Sequence, residues 1–304
     1  MDDAGAVRVA ARHHRVRDLS RARDGWRPGA AALTERWLIL GATGRIGSML
    51  VRHWSEAPPT GAEIVPQARR ARTGHVVWDP LSDVCPVKAD VVVGLAGVTP
   101  GPGAEFGLNV DLGLAAVRTA EEAGARRLLL ASTSAIYGPA RNAPEDAAVD
   151  PPSDYGASKL AMERAVASES VETCCLRIGN VAWADALLGR LQPGKPVMLD
   201  QFADGGGPVR SYLGPRTLAR VIESLARVEG ALPKVLNVGG PDPVTMESLL
   251  LAAGVPWEWQ PAPPTAVQHV TLDCSKLAAL HGFASDATAP EVLIAEGRGL
   301  KGGA

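Results

Sequence analysis

Tyr155 and Lys159 stand four residues apart in Ser153-Asp154-Tyr155-Gly156-Ala157-Ser158-Lys159. On a helix that spacing sets a phenol and an ammonium on one face. An ammonium beside a phenol favours phenolate, so the spacing predicts a Tyr155 pKa drawn down from about 10 toward the range of a general acid/base. Ahead of this pair lies Ala131-Ser132-Thr133-Ser134-Ala135-Ile136-Tyr137-Gly138. A hydroxyl from Thr133 could hydrogen-bond the same substrate oxygen. Such a trio moves a proton onto or off an alcohol while a nicotinamide ring moves the hydride. The plainer alternatives are a helix-surface pair for Tyr155 and Lys159 and a strand-end cap for Thr133.

Hydride chemistry needs a dinucleotide, and the chain offers a place for one. Trp37-Leu38-Ile39-Leu40 reads as a buried strand that breaks into Gly41-Ala42-Thr43-Gly44-Arg45-Ile46-Gly47. A helical pattern follows through Ile46, Met49, Leu50 and His53. Strand, glycine turn and helix together are the context of a dinucleotide-binding fingerprint. Gly41 permits the tight turn, Gly44 the approach of a pyrophosphate, and Gly47 close helix–strand packing. The helix N-terminus then faces the anion.

The elements that must position these residues alternate from Trp37 onward. Strands are expected at Glu63–Val65, His75–Trp78, Ala89–Leu95, Arg127–Ala131 and Glu172–Ile178. Helices are expected to about Trp54, over Phe106–Ala123 and over Pro152–Val166. Short strands separated by helices imply parallel pairing with right-handed crossovers, a doubly wound α/β sheet of Rossmann type. Past Asn180 the pattern weakens to a helix at Pro215–Val228, a strand at Lys234–Val238 and a short helix at Thr245–Ala253. Three segments are expected: a loose basic leader over 1–35, the dinucleotide-binding domain over 36–180, and a small substrate lobe with the C-terminal tail over 181–304. The leader carries seven arginines from Arg8 to Arg27 and the pair His13-His14. It reads as a solvated charge run, with a basic tail that binds something as the alternative.

Composition narrows the function classes. Hydrophobic residues make up 46 % and charged residues 21 % of 304, the balance of a globular protein. A net charge of -2 gives no electrostatic case for nucleic acid or an anionic membrane. No apolar run approaches the roughly 20 residues of a spanning helix. The four cysteines and six histidines lack metal-ligand spacing, so no metal site is expected. Free buried thiols suit a reducing, cytoplasmic setting.

Taken together, the chain resembles the extended short-chain dehydrogenase/reductase family, also called the NAD-dependent epimerase/dehydratase family. The resemblance spans about Leu38 to Leu280. It rests on the glycine turn, Leu95-Ala96-Gly97, Asn109, the Ser132–Gly138 piece, Tyr155–Lys159 and Leu176-Arg177-Ile178-Gly179-Asn180-Val181. It implies Tyr155 as catalytic acid/base, Lys159 on the nicotinamide ribose and Thr133 as the catalytic hydroxyl, with Ser132 and Ser134 as weaker occupants. Gly41, Thr43, Gly44, Arg45, Ile46 and Gly47 would wrap the pyrophosphate, Asp79 would face the adenine, and Ala96 and Gly97 the adenosine side. Ser134, Asn180 and Arg210 fall to the substrate, Arg210 at its diphosphate. Asp79 as a cap of the Pro80 turn and Arg210 as a solvated surface residue remain the alternatives. A homodimer through the two long helices is also implied.

Three departures refine the expectation. NAD-selective members carry an acidic residue at the end of the second strand. Here Val65-Pro66-Gln67-Ala68-Arg69-Arg70-Ala71-Arg72 has no carboxylate and three arginines, which suit a 2′-phosphate. NADP is therefore expected, with NAD as the alternative. Thr133 is followed by Ser134-Ala135 rather than the Asp-Glu pair of sugar-nucleotide 4,6-dehydratases, which disfavours dehydration. Finally, Ala182-Trp183-Ala184 stands where the family usually has Tyr-Gly-Pro. The expected activity is epimerisation, or reduction or oxidation, of a nucleotide-sugar or related hydroxy/keto compound. An NADPH-dependent reductase of a small carbonyl compound is one alternative, and a noncatalytic NADP-sensing protein is another.

Overall fold

The computed structural model describes residues 34–166, 170–192 and 194–300; the expected leader thus lies almost wholly outside the described residues. β1 (Glu35–Leu40) leads through the glycine turn into α1 (Arg45–Glu56), followed by β2 (Ala62–Ala68), β3 (Val76–Val77) and β4 (Val91–Gly94). Next come α2 (Leu108–Ala123), β5 (Arg127–Thr133), β6 (Ala140–Ala143), α3 (Asp154–Ala165) and β7 (Glu172–Ile178). β8 (Asn180–Val181), α4 (Ala186–Gly189), β9 (Val197–Gln201), β10 (Val209–Leu213), α5 (Pro215–Arg227) and β11 (Val235–Val238) follow. The described chain closes with β12 (Pro243–Thr245), α6 (Met246–Ala253), β13 (Trp257–Pro261), β14 (His269–Leu272), α7 (Ser275–Leu280) and α8 (Pro290–Gly297).

Seven strands hydrogen-bond in the order β11-β7-β5-β4-β1-β2-β3, and every neighbouring pair is parallel. The chain runs outward from β1 to β3, then returns to β4 and proceeds the other way. That reversal makes the sheet doubly wound and puts its switch point between β1 and β4. Helices cover both faces. Trp37, Ile39, Val93 and Leu129 pack with Leu50 and Trp54 of α1 and Ile222 of α5. Leu38, Leu40, Val92 and Leu130 pack with Ala116 of α2 and Met162 of α3. Strands buried on both sides have no polar face, which is why they read as unbroken apolar runs. Cys174 and Cys175 point into opposite clusters, and all four cysteines are free. Burial raises the Cys174 and Cys175 thiols far above their ordinary range, so neither is a ready nucleophile.

A second sheet, in the order β12-β10-β14-β6 with β8 also on β10, and the parallel pair β13-β9 complete the fold. The boundary expected at residue 180 is not where the large sheet ends, since β11 returns to pair with β7. The strands of the second sheet escape the sequence pattern because they are short, partly exposed and broken by proline and glycine. Trp183 occupies a left-handed φ of 70°, where a residue with a side chain pays roughly 1–2 kcal/mol. Its indole packs against Gly297 and donates to the Ile294 carbonyl at 3.1 Å, contacts with α8 that hold the conformation. Among the described residues no helix is long and apolar enough to cross a membrane, and no side-chain group suits a metal ion.

Candidate active site

The glycine turn sits at the switch point. Gly41 has φ +74°, and a Cβ there would meet the Ala96 nitrogen at 2.5 Å. A Cβ on Gly47 would meet the Gly41 carbonyl oxygen at 2.3 Å, so the first turn of α1 lies directly on the strand end. No side chain caps α1 and no acidic residue lies in its first turn, which leaves its N–H groups to an anion. Gly47→Ala is therefore expected to push α1 off β1. Dinucleotide affinity should fall at least tenfold and the urea midpoint should drop, measured by titration and by equilibrium unfolding.

A cleft of about 830 Å³ opens beside this turn. Of the residues expected at the cofactor, Gly41, Thr43, Gly44, Arg69, Arg70, Asp79, Ala96 and Gly97 line it. Arg45, Ile46 and Gly47 form the adjoining first turn of α1. Arg45 reaches across to Thr99 Oγ1 at 3.2 Å. Asp79 also caps its turn, Oδ1 accepting from the Leu81 N–H at 3.0 Å. Arg69 and Arg70 are exposed at the end of β2, directly after the small, buried Ala68. Gln67 was not singled out by the sequence. Its buried amide accepts from the Gly41 N–H at 3.3 Å and donates to the Trp78 carbonyl at 2.8 Å, fixing the turn against β2 and β3. A polar residue at the end of an apolar strand was the available signal.

Tyr155 and Lys159 share α3, whose start is capped by Ser153 accepting from the Gly156 N–H at 3.2 Å. Thr133, at the end of β5, pulls the Tyr155 phenol pKa downward. Thr133 Oγ1 accepts from the Ala135 N–H at 3.2 Å and so caps the strand end. The expected downward pull of Lys159 on Tyr155 needs correcting. Burial pushes the Tyr155 phenol above its ordinary value, against opposing pulls from the Thr133 hydrogen bond and the Arg45 charge. The Lys159 ammonium instead faces Met162 Sδ at 3.1 Å and lies 3.9 Å from where a Gly97 Cβ would be. It therefore stands at the inner edge of the cleft.

Burial lowers the Lys159 pKa to about 8, with smaller upward pulls from Cys175 and Glu163. Below that pH the ammonium is charged and can donate to ribose hydroxyls; above it the charge is lost. Dinucleotide affinity of the free protein is expected to weaken as pH rises through about 8. Lys159→Met should remove that limb from the pH profile of binding followed by intrinsic fluorescence.

A buried polar framework holds these groups. Glu163, one turn beyond Lys159, pairs with Arg177 on β7 at 2.9 Å, both side chains being under a tenth exposed. Ser132 donates to the same carboxylate at 2.5 Å. Arg177 also donates to the Tyr137 hydroxyl at 2.8 Å and to the Glu145 carbonyl at 2.7 Å. On the other side Asn109, fully buried on α2, accepts from the Val98 N–H at 2.8 Å and donates to Ser158 at 2.9 Å. It thereby ties the loop after β4 to the catalytic helix. Neither Glu163 nor Ser158 was singled out from the sequence, because a helix pattern does not say which polar face is buried.

The residues expected at the substrate are placed differently from one another. Ser134 is buried in the turn after Thr133. Arg210 on β10 lines a second cavity, of about 510 Å³, together with Arg190 and Lys195. Its guanidinium donates to the carbonyls of Val209, Gln268 and Val267 at 2.7–2.8 Å, and it has no carboxylate partner among the described residues. Burial lowers its pKa. It is a fixed cation beside a cavity, not a solvated surface residue. Asn180 is half-buried and bonded to Tyr212 at 3.3 Å.

A doubly wound parallel sheet with a glycine turn at its switch point is the architecture of a Rossmann-type dinucleotide-binding fold. Residues 37–185 match the model of the NAD dependent epimerase/dehydratase family. Among solved structures the chain is similar to MoeE5 in complex with UDP-glucuronic acid and NAD, at 25 % identity and a TM-score of 0.69, covering 86 % of this chain and 99 % of that one. It is similar to a UDP-galactose 4-epimerase at 24 % identity and a TM-score of 0.65, covering 86 % and 97 %. A Bacillus cereus UDP-glucuronic acid 4-epimerase in complex with UDP-glucuronic acid and NAD gives 18 % identity and 0.69, covering 88 % and 99 %. No curated protein matches by sequence.

Proposed function

We propose that this chain is an NAD(P)-dependent oxidoreductase or epimerase acting on a nucleotide-sugar or related hydroxy/keto compound. The observation that carries the reading is the Tyr155–Lys159 pair on α3, with Lys159 at the edge of the dinucleotide cleft and Thr133 acting on the Tyr155 phenol from the end of β5. A noncatalytic sensor has no use for that cluster. The bound nicotinamide would take or return a hydride at the substrate carbon. Tyr155 would take the hydroxyl proton as the hydride leaves and give it back when the flow reverses. Thr133 would hold the same oxygen, and Lys159 would hold the ribose. The nucleotide-sugar substrate is supported by the second cavity, where Arg190, Lys195 and the carboxylate-free Arg210 suit a diphosphate. The neighbours that hold UDP-sugars support it too. Ser134 and Asn180 are assigned to the substrate's reacting end. Dehydration is disfavoured because Ser134-Ala135 supplies no acid–base pair after Thr133.

Arg69 and Arg70 at the mouth of the cleft favour NADP over NAD. That same observation supports the second reading, an NADPH-dependent reductase of a small carbonyl compound. Arg69→Ala with Arg70→Ala is expected to weaken NADPH binding at least tenfold and to leave NADH binding nearly unchanged, read by fluorescence titration of both. We also assign a homodimer to the outer face of α2 and α3, where Leu114 is 41 % exposed, a mass that sedimentation would report. The function itself is tested by incubating the protein with NAD or NADP and UDP-glucose or UDP-glucuronic acid. A new epimer, or reduced nicotinamide appearing with substrate, is the expected result. Turnover of simple ketones alone would select the second reading.

A further inference from the structure

Beside the three cations of the second cavity stands a carboxylate. Asp200 on β9 and Gln260 on β13 both line that cavity, and they are direct partners in the parallel pair. Partnered residues of a parallel pair put their side chains on one face. Met198, two residues earlier on β9, shares that face and is 50 % exposed. Gln260 Nε2 donates to Asp200 Oδ1 at 2.8 Å. A carboxylate only accepts, so this contact fixes the amide with its nitrogen toward Asp200 and leaves its oxygen over.

Asp200 Oδ2 has no hydrogen-bond or ion-pair partner among the described residues. Nor is it sealed in the core, where the unpartnered side-chain polar atoms are Trp78 Nε1, Arg127 Nε and Glu247 Oε2. Asp200 Oδ2 and Gln260 Oε1 are therefore neighbouring acceptors open to solvent on the wall of the cavity. A carboxylate that neutralises none of the cations opposes a diphosphate. Its place in the same cavity calls for a different part of the ligand, one that brings donors.

We propose that Asp200, held by Gln260, selects guanine as the base of the nucleotide whose diphosphate meets Arg190, Lys195 and Arg210. Of the four common bases only guanine offers two adjacent donors on its pairing edge, N1–H and the N2 amine, which match the two oxygens of a carboxylate. Adenine and cytosine set an amine beside a bare ring nitrogen, and uracil sets its single N–H between two carbonyl oxygens. Each of these brings an acceptor against Asp200, which forfeits hydrogen bonds and adds repulsion. The ribose diol is the other donor pair a nucleotide carries, but the thioether of Met198 beside the carboxylate suits the face of a flat ring. Uracil nucleotides still reach the cations, so a UDP-sugar binds more weakly rather than not at all. Gln260 is a positioning residue here. The inference rests on the nucleotide-sugar reading above and narrows it to a base.

GDP, IDP and UDP are titrated calorimetrically into the full chain and into Asp200→Asn. The wild type is expected to bind GDP about tenfold or more tighter than UDP, and about tenfold tighter than IDP, which lacks the N2 amine. In the variant a carboxamide donor replaces Oδ2, so the ratio of GDP to UDP affinity should fall to about one or below. GDP and UDP bound equally by the wild type would overturn the proposal and leave the nucleotide-sugar reading standing. Equal weakening of both in the variant would assign Asp200 to the ribose diol and overturn it too. So would equal gains or no change in the variant, the mark of a carboxylate that only ties β13 to β9. The comparison of GDP with IDP needs the wild type alone, and equal affinities there count against the proposal however the variant folds. A protein that binds none of the three removes the nucleotide-sugar reading and this inference with it.

Discussion

Tyr155→Phe is expected to lower kcat by a factor of about 10²–10⁴, the usual worth of a positioned acid/base, with dinucleotide affinity almost unchanged. Burial holds the phenol pKa above its ordinary value in the free protein, against downward pulls from Thr133 and the charge of Arg45. A phenol held that way is protonated at neutral pH, ready to act as an acid toward a carbonyl oxygen. To act as a base it must be drawn down, and the available cation in the free protein is Arg45 rather than Lys159. The ring itself packs against Phe106, with centroids 6.0 Å apart, so phenylalanine keeps the shape of the site and loses only the oxygen. Turnover by the variant at the wild-type rate would remove Tyr155 from the mechanism.

The largest effect on stability is expected at Glu163. Arg177 lies buried on β7 and makes its only ion pair with this carboxylate among the described residues. Glu163→Ala leaves an uncompensated buried guanidinium, a change that costs about 3–5 kcal/mol. The urea midpoint should fall accordingly, with the slope of the transition kept. Replacing both partners together, Glu163→Met with Arg177→Met, should recover part of the loss, since the remaining charge is then gone as well. A single variant as stable as the wild type would show that the pair does not hold α3 to the sheet.

The sheet was legible because the middle of its strands is buried on two faces and reads as short apolar runs, with the polar residues mostly at the strand ends. From Trp37 to Ile178 the apolar runs predict the parallel strands, and β7 occupies the expected Glu172–Ile178. The glycine turn was legible because backbone crowding at Gly41 and Gly47 admits only that residue. What the sequence hid lies in the second half. β9, β10, β13 and β14 are short, and their burial alternates irregularly, so no period of two emerges. The site was legible by type and spacing but not by electrostatics. Four residues on a helix bring Lys159 to the face of Tyr155, yet the ammonium turns toward Met162 and Gly97. Arg210, equally compatible with a surface position from sequence, becomes a cavity cation only when the carbonyls of Val267 and Gln268 come to meet it.

The central claim, that the cleft beside the glycine turn holds a nicotinamide dinucleotide for chemistry at Tyr155, is met most directly by denaturing freshly purified protein and identifying any nucleotide released, then titrating the stripped protein with NADPH and NADH. Near-stoichiometric dinucleotide in the released fraction is expected of an enzyme that recycles its hydride and would point to epimerisation. An empty protein that binds NADPH reversibly would keep the cleft assignment and shift the activity to net reduction. Protein that releases no dinucleotide and binds neither form would contradict the account at its base.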